Sequence, residues 1–407
     1  PMPPDTQPPV GRVLFVTHNI PRFIGDAAGS FVLRLAVALR DVGVAVDVLA
    51  PGSPDLSGVD EMEGIEIERV RYAAPERMTL AYSGRMAEDV RASWAGRCAL
   101  AGLLYHMRRR IRVRVRHAIR QGRPYAVVHA HWWFPSGLSA WSAGAGAGLG
   151  VPLVITMHGS DVRLAQGVGA SHGMMRRVLQ RAVRVTAVSR WLADAAKRIA
   201  PTVNIAVGPM PVDTSVFQPP RTTGRRQNVL FVGRLNAQKG VADLLSAFAL
   251  MTDRTISLQV VGDGPDADAL KQQAQSLGIS QRVQWLGTRT QRELVPLYQQ
   301  AAVVAMPSRD EGLGLVAVEA QLSGTPVVAY ASGGLTDVVR PTNGGTLVTP
   351  GDIDALAAAL DLFAADNEAA QQRGRVAGAA ARAAMIDVFS PAAVAAQYLE
   401  WYALATR

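Results

Sequence analysis

Cysteine and long apolar runs are both scarce in this chain of 407 residues. Cys98 is the single cysteine, which excludes a disulfide framework within the chain and argues against a cysteine-based zinc site. No run of about 18 apolar residues occurs, so a transmembrane helix is not expected. The first ten residues are rich in proline and lack the apolar segment of a signal peptide. These features favour a cytoplasmic protein.

Acidic residues are sparse in one part of the chain. The formal net charge is +9, and between Arg71 and Arg123 thirteen arginines stand against three acids. Such a cluster favours an anionic partner, here the inner face of a membrane, but a solvated helix face explains it equally well. Aromatic residues are too thinly spread in this stretch to indicate a nucleic-acid surface, so no nucleic acid partner is expected.

The basic stretch itself is predicted to be a helix. Leu103, Leu104, Met107, Ile111 and Val115 recur every three or four residues, which is the spacing of an apolar helix face. The valines are expected to share that face, with the arginines on the rest of the surface. An alternation with a period of two between residues 110 and 116 is strand-like, but the helical period extends over a longer stretch.

A strand–helix alternation occurs twice along the chain, and begins again at Asn228. It predicts an α/β protein with two tandem Rossmann-like, doubly wound domains that face a central cleft. The linker is recognised by its prolines and glycine. The predicted segments are an N-terminal domain at 1–208, a linker at 209–227, a C-terminal domain at 228–390 and a final helix at 391–407 that packs back on the N-terminal domain.

The first cluster of candidate site residues follows the strand that opens the second domain. Gly233 and Arg234 stand where this strand ends, and Lys239 and Gly240 precede the next helix. Backbone N–H groups at a helix start and two cations on one loop suit a diphosphate. Two ordinary surface cations would give the same pattern, so this cluster alone does not decide between the two interpretations.

The second cluster is a glycine-containing loop with a carboxylate at its start. Glu311 is followed by Gly312, Leu313, Gly314 and Leu315, and Glu319 lies eight positions after Glu311 on the following helix. The glycines allow a ligand to approach the backbone, and the loop amides can bind an anion. Ionised carboxylates accept hydrogen bonds from hydroxyls. We therefore predict that one carboxylate binds a sugar and the other a ribose, the alternative being a capping and a salt-bridged glutamate.

Together the two clusters, about seventy residues apart, resemble the donor domain of glycosyltransferase family 4, whose members have the GT-B fold. The resemblance extends from about residue 11 to residue 390. One departure is Met210-Pro-Val-Asp213, where the family usually has Asn-Gly-Val-Asp. The other matching segments are Val261-Gly-Asp-Gly-Pro265, Trp285-Leu-Gly287, Gly324-Thr-Pro-Val-Val328, Gly333-Gly334, Gly344-Gly345, His129-Ala-His131, Ile155-Thr-Met-His-Gly-Ser-Asp161 and Val188-Ser189.

The resemblance also assigns residues in the first domain. It implies that His158, at the end of a strand, contacts the donor sugar, and that Asp161 orients His158 or its loop. His131 and Asp161 are further candidates for substrate binding. Gly29 is the best match for the residue that lets a phosphate approach the first helix, because the family's glycine pair is altered here to Gly25 and Gly29.

The function implied by the resemblance is retaining transfer of a sugar from a UDP- or GDP-linked donor to a hydroxyl acceptor, which is lipid-linked or a polysaccharide. The sequence offers no clear carboxylate nucleophile, so the leaving phosphate is expected to act as the base. Arg234 and Lys239 neutralise the diphosphate, so neither a metal nor another cofactor is expected. The catalytic candidates are His158, Arg234, Lys239 and Glu311.

Three other functions are alternatives to this one. A nucleotide-sugar epimerase or hydrolase of the same fold would need no acceptor site, and a non-catalytic anion-binding protein would need only the basic surface. An NAD-dependent oxidoreductase is disfavoured because Gly233 lacks the partner glycines of a dinucleotide-binding loop.

Overall fold

The chain folds into two compact units in a computed structural model. One unit comprises Pro1–Pro211 together with Pro391–Arg407, and the other comprises Val212–Ser390. Arg85 of the basic stretch, residues 1–9 of the predicted N-terminal domain, residues 222, 223, 225 and 227 of the predicted linker and residue 407 of the predicted final helix lie outside the described residues. The structure describes residues 10–26, 28–82, 86–221, 224, 226, 228–340 and 344–406.

The first unit alternates strands and helices, as the sequence predicts, apart from one additional edge strand. Its elements are β1 (Arg12–Val16), α1 (Ser30–Asp41), β2 (Ala45–Pro51), β3 (Gly58–Met62), β4 (Ile65–Val70), α2 (Met86–Ala92), α3 (Trp94–Arg120), β5 (Val127–His131), α4 (Leu138–Ala143), β6 (Leu153–Met157), α5 (Ser160–Gly167), α6 (His172–Leu179), β7 (Arg184–Ala187), α7 (Arg190–Ile199) and β8 (Ile205–Val207).

The second unit repeats the alternation. Its elements are β9 (Asn228–Val232), α8 (Val241–Leu250), β10 (Ser257–Val261), α9 (Ala267–Ser276), β11 (Val283–Gly287), α10 (Gln291–Gln300), β12 (Val303–Met306), α11 (Leu315–Leu322), β13 (Val327–Tyr330), α12 (Leu335–Val338), β14 (Thr346–Val348), α13 (Ile353–Ala364) and α14 (Glu368–Phe389). The chain then returns to the first unit through α15 (Pro391–Ala405).

The two sheets share one doubly wound topology. In the described chain the second sheet has the order β11-β10-β9-β12-β13-β14, and the first has β3-β4-β2-β1-β5-β6-β7-β8. Each order reverses beside the strand that opens the unit, between β9 and β12 and between β1 and β5. Ligands of open parallel sheets bind outside the carboxyl ends of the strands at such reversals. Each unit therefore has one favoured place for a site.

The edge strand β3 was not predicted from the sequence. It pairs with β4 in an antiparallel arrangement, whereas the other strand pairs of both sheets are parallel. Glu63 and Gly64 connect β3 and β4, and their φ angles of 50° and 71° are the positive values that a two-residue hairpin turn requires. The strand was not predicted because β3 is polar and mostly exposed, so it lacks the apolar pattern of a buried strand.

The predicted helix in the basic stretch is confirmed as α3. Leu103, Met107, Ile111 and Val115 are buried along one side of it, as their spacing indicates. The expectation that all valines share this side is wrong, because Val113 is 41% exposed. Successive residues of a helix lie about 100° apart, so Val113 and Val115 cannot face the same way.

The last helix, α15, contributes to the core of the first unit. Tyr398 and Tyr402 are fully buried, and α15 packs against α1. By length and composition alone, the stretch Glu368–Ala405 is apolar enough to cross a membrane, with a mean hydropathy of 1.3 over its most apolar window. It consists of two helices that break at Ser390, and core helices pass the same test.

Candidate functional site

The loops that follow β9 and β12 touch at the strand-order reversal of the second sheet. Gly240 begins α8 with a φ of +67°, and a Cβ atom added there would lie 2.1 Å from the carbonyl oxygen of Pro307. Only glycine combines this left-handed conformation with such a close approach. The chain thereby brings residues 233–240 and 307–314 side by side.

Hydrogen bonds join the two loops. The Arg309 N–H donates to the carbonyl of Gln238 at 2.8 Å, and the side-chain amide of Gln238 donates to the carbonyl of Asp310 at 3.2 Å. Beyond them, Lys239 Nζ lies 2.6 Å from Glu311 Oε2. The predicted diphosphate loop and the predicted sugar-binding loop are thus in direct contact and form one site region, although they are two separate clusters in the sequence.

The two predicted phosphate-binding cations differ in their surroundings. Arg234 is exposed and forms no ion pair with another described residue. Lys239 is half-buried and paired with Glu311. An exposed guanidinium at the end of a parallel strand is available to an anionic ligand, whereas Lys239 must share its charge between a ligand and Glu311.

Two glycines support the Glu311 loop from behind. The Gly334 N–H donates to the Glu311 carbonyl at 2.7 Å, and a Cβ added at Gly333 would lie 2.4 Å from the same oxygen. At the other end of the loop, Gly314 has a φ of +88° and begins α11. Gly312 and Leu313 are buried, while Leu315 is half-buried in the first turn of that helix. The loop amides therefore sit at a helix start, where partial positive charge favours anions.

Glu319 lies on α11 and faces a buried tyrosine. The Tyr298 hydroxyl donates to Glu319 Oε2 at 2.9 Å, and the Gln291 side-chain amide lies 3.4 Å from Glu319 Oε1. Burial and the neighbouring carboxylate raise the pKa of Tyr298 well above its usual value, so its hydroxyl stays protonated and remains a donor. Glu319 is consequently held in one orientation with its carboxylate half-buried.

In the first unit, His158 follows β6 at the edge where the strands end. Its imidazole packs against Trp132, with ring centroids 4.4 Å apart, and against Phe31, at 4.9 Å. Its Nε2 lies 3.1 Å from Nδ1 of His131. Burial lowers the pKa of His158 well below its usual value and lowers that of His131 to about 3, so both rings are neutral near pH 7.

Asp161 positions the loop that carries His158. Its Oδ1 accepts from the N–H groups of Gly159 at 3.1 Å and His158 at 3.3 Å, and its Oδ2 accepts from the Trp133 N–H at 3.0 Å. The side chain is buried, at 2% exposure. The predicted direct contact between Asp161 and substrate does not fit this arrangement, because both oxygens already accept backbone hydrogen bonds.

His131 and Gly29 are also more enclosed than a substrate contact requires. His131 is fully buried and reaches the site through His158. Gly29 does begin α1, with a φ of +67°, but a Cβ there would lie 2.3 Å from the carbonyl oxygen of Asn19. The described geometry therefore explains this glycine by close backbone packing, and an approaching phosphate is not needed to account for it.

Comparisons with known proteins are consistent across both units. A family model described as "Glycosyltransferase Family 4" matches residues 28–216, and one described as "Glycosyl transferases group 1" matches residues 214–379. A D-inositol 3-phosphate glycosyltransferase of Mycobacterium marinum is 34% identical over 383 residues, which is 85% of this chain and 75% of that protein.

The chain belongs to glycosyltransferase family 4. A glycogen synthase of Mycobacterium tuberculosis is 30% identical to this glycosyltransferase, over 90% of the chain and 89% of the synthase. The predicted GT-B fold and the predicted enzyme class are confirmed. This protein is a glycosyltransferase.

Solved structures show the same fold. Sucrose-phosphate synthase from Thermosynechococcus elongatus superposes with a TM-score of 0.77 at 24% identity, covering 96% of this chain and 98% of the other. Anabaena HepE, solved in complex with UDP and glucose, superposes with a TM-score of 0.68 at 20% identity, covering 96% and 99%.

Several residues of the glycosyltransferase's site regions were not singled out from the sequence. Asp243 accepts hydrogen bonds from Arg309 and Tyr330, both at 2.8 Å, and so braces the second loop from α8. Asn236 carries a side-chain oxygen that is buried without a partner among the described residues. A motif search cannot find such residues, because their roles depend on contacts between distant parts of the chain.

Within the described ranges, no group of three or more His, Cys, Asp or Glu side chains is placed to hold a metal ion. The expectation that a metal is not required stays a prediction.

Proposed function

We propose that the glycosyltransferase binds the diphosphate of its donor on the loop between β9 and α8. The observation that carries this proposal is the position of Arg234 and Lys239 on one loop at the strand-order reversal, beside a helix start. The N–H groups of the α8 and α11 starts add further partial positive charge. A guanidinium and an ammonium together match the charge of a diphosphate.

The two glutamates bind the other parts of the donor, one the sugar and one the ribose. Glu311 contacts sugar hydroxyls, and its ion pair with Lys239 fixes the carboxylate. The Lys239 ammonium has three N–H donors and can therefore also donate to a phosphate oxygen. Glu319, held by Tyr298, accepts hydrogen bonds from the ribose hydroxyls. UDP and GDP remain the two candidate nucleotides.

Catalysis in this proposal is electrostatic. As the bond to the sugar breaks, negative charge builds on the leaving diphosphate and is stabilised by Arg234, Lys239 and the loop amides. The leaving phosphate then accepts the proton of the acceptor hydroxyl, which attacks from the same face, so the anomeric configuration is retained. His158, neutral near pH 7, hydrogen-bonds a sugar hydroxyl of the donor. A divalent metal is not required, and activity in EDTA equal to that in buffer tests this point.

The proposal is tested by removing one cation at a time. Arg234→Ala and Lys239→Ala are each expected to lower kcat about 10²–10³-fold, because each removes a preorganised contact to the leaving group. Arg254→Ala and Lys271→Ala are matched controls, since both side chains are exposed elsewhere in the second unit. Turnover in either site variant equal to that of its control would contradict the proposal.

We further propose that the first unit holds the acceptor hydroxyl and rests on an anionic membrane through α3. Arg112 is not available for this contact, because its guanidinium donates to the carbonyls of Ala143 and Ser142. The exposed surface of α3 instead contains Tyr105, Arg108, Arg109, Arg116, Ile119 and Arg120.

Vesicle co-sedimentation tests the membrane contact. Binding should require anionic lipid and weaken as salt rises, because each basic residue near the surface contributes about 1 kcal/mol. Replacing Arg108, Arg109, Arg116 and Arg120 by serine should abolish it, whereas Arg254→Ser should not. Failure of the unmodified protein to bind anionic vesicles at low salt would remove the membrane from the proposal.

A further inference from the structure

The first unit contains a cavity that the assignments above leave unused. Its volume is about 380 Å³, within the range of roughly 300–1,000 Å³ that is typical of small-molecule sites. It lies beside the carboxyl ends of β1 and β5, is lined in part by residues of α2, α3 and α5, and is partly open to solvent. Residues on four separate segments of the unit thus line one cavity.

The lining is mostly apolar. Leu80, Val90, Leu100, Phe134, Leu164 and Val168 supply much of its surface. Sugars and polyols are bound by many polar side chains, because each of their hydroxyls needs a hydrogen-bond partner. A lining of this composition suits an aliphatic or aromatic group and leaves most sugar hydroxyls without partners.

Charged groups are few in the lining. Arg91 and Asp161 are the charged residues among those described around the cavity. Both carboxylate oxygens of Asp161 accept backbone hydrogen bonds, and Arg91 is exposed on α2. One exposed guanidinium is a weak site for a phosphate, which is usually bound by several donors together.

Two hydrogen-bonding side chains lie together at one end of the cavity. His18 and Asn19 both line the cavity just after β1. Each also has one polar atom, Nδ1 and Oδ1 respectively, that is covered by the surrounding protein and has no partner among the described residues. Burial lowers the pKa of His18 to about 4, so its ring is neutral near pH 7. A neutral imidazole and an amide oxygen are suitable partners for a hydroxyl group.

We propose that this cavity binds an acceptor that carries an apolar alkyl or aryl group next to its hydroxyls. The hydroxyl end lies at His18 and Asn19, and the apolar group lies among the side chains of α2, α3 and α5. The proposal rests on the proposed function, because it names the acceptor class of the same enzyme. This acceptor class differs from the phosphorylated polyol after which the mycobacterial relative, a D-inositol 3-phosphate glycosyltransferase, is named.

The test is calorimetric titration of the full chain with methyl, hexyl and phenyl β-D-glucopyranosides, and with D-inositol 3-phosphate. Each fully buried methylene is worth about four-fold in affinity. Hexyl and phenyl glucosides should therefore bind at least about ten-fold more tightly than the methyl glucoside, and more tightly than D-inositol 3-phosphate. The hexyl and phenyl arms distinguish a lipid-like from an aromatic acceptor.

Variants locate the binding. Val168→Trp, which fills the cavity, and Leu164→Ser, which makes it more polar, should each remove the advantage of the hexyl and phenyl groups. Leu362→Trp is the control, since Leu362 is an exposed leucine of the second unit. Either cavity variant that keeps its melting temperature is sufficient for the comparison.

The outcome separates this inference from the proposed function. Binding of UDP and GDP and hydrolysis of nucleotide sugars are measured on the same variants, and should not change. Equal or undetectable binding across the glucoside series, or tighter binding of D-inositol 3-phosphate, would overturn the inference while leaving the donor site intact. Loss of nucleotide binding by Arg234→Ala bears on the donor proposal alone.

Discussion

Glu311 and Glu319 differ at the residue scale in what holds them. Glu311 is paired with a cation on a neighbouring loop, whereas Glu319 accepts from the neutral Tyr298 hydroxyl. A carboxylate beside a cation is held by the attraction between their charges. A carboxylate beside a phenol is held by a neutral hydrogen bond, which depends on the direction of the hydroxyl. The two side chains are therefore suited to different parts of one ligand, although both are glutamates in a single short motif.

Calorimetry can separate the two roles. Glu319→Ala should weaken the binding of free nucleotide about 10–100-fold, because hydrogen bonds to a charged group are lost. Glu311→Ala should weaken binding of the nucleotide sugar by a similar factor and that of the free nucleotide much less. Asp387→Ala, at an exposed position of α14, serves as the control. The same loss of both ligands in both site variants would contradict the assignment.

The neighbouring histidines suggest which nitrogen of His158 carries its proton. His131 Nε2 is buried and has no partner among the described residues, whereas His131 Nδ1 lies 3.1 Å from His158 Nε2. An unpaired buried N–H is rarer than an unpaired acceptor, which places the His131 proton on Nδ1. His158 Nε2 then accepts, so its own proton lies on Nδ1 and His158 presents a donor.

Substitution of His131 tests this tautomer. His131→Asn keeps a side-chain N–H near the position of Nδ1 and should retain activity, whereas His131→Leu should lower kcat about ten-fold, the value of one hydrogen bond. ¹⁵N NMR of the His158 ring should show protonated Nδ1 in the unmodified protein and in His131→Asn. Protonated Nε2 in the unmodified protein would refute the assignment, whatever the activities.

At the scale of elements, the site of the second unit depends on the contact between two loops. Gly240 has a φ of +67° and a crowded Cβ position, while Gly278 has a φ of +69° and no heavy atom within 4 Å of its Cβ position. The two glycines therefore have nearly the same φ and differ in what a Cβ atom would contact. This pair allows the conformational and steric contributions to be measured separately.

Gly278→Ala is expected to lower the free energy of unfolding by about 1–2 kcal/mol, which is the cost of a left-handed residue. Gly240→Ala should lose about 1–3 kcal/mol more, because its Cβ is forced against Pro307. It should also weaken nucleotide binding, since Lys239 precedes Gly240. Urea unfolding and nucleotide titration measure the two effects. Equal losses of stability in the two variants would show that the loop contact does not matter.

At the scale of the whole molecule, histidine is confined to one unit. All seven histidines, at positions 18, 106, 117, 129, 131, 158 and 172, belong to the first unit. Burial lowers the pKa of His129 well below its usual value and that of His131 to about 3. The two units should consequently respond differently to mild acid.

Stability of the first unit is expected to fall as the pH drops below about 6.5. An unfolded histidine takes up a proton near pH 6.5, whereas the buried one does not until the pH reaches its lowered pKa. The stabilisation is therefore complete above pH 6.5 and is lost between pH 6.5 and about 3. His131 alone should cost about 2 kcal/mol by pH 5.

Hydrogen exchange followed by mass spectrometry at pH 7 and pH 5, corrected for intrinsic rates, can resolve the two units. Peptides of the first unit should lose protection at the lower pH, and those of the second unit should change much less. His131→Asn should reduce the difference. Protection lost first or equally in the second unit would contradict the expectation.

The sequence by itself determined the two α/β units, the helix at α3 and the family, because hydrophobic periodicity and motif spacing are local properties of the chain. The second unit begins with β9 at Asn228, where the sequence predicts that the alternation starts again. The edge strand that was not predicted, β3, is polar, and its pairing depends on a turn and a neighbour that local periodicity does not reveal.

Only the tertiary structure decided which side chains act on one another. The pairs Lys239–Glu311, Tyr298–Glu319 and His131–His158 join residues 72, 21 and 27 positions apart. Their contacts follow from the order of the parallel strands and from glycines that let loops touch. Asp161 shows the difference most plainly: its motif predicted a ligand contact, and its burial among backbone N–H groups makes it the residue that positions the His158 loop.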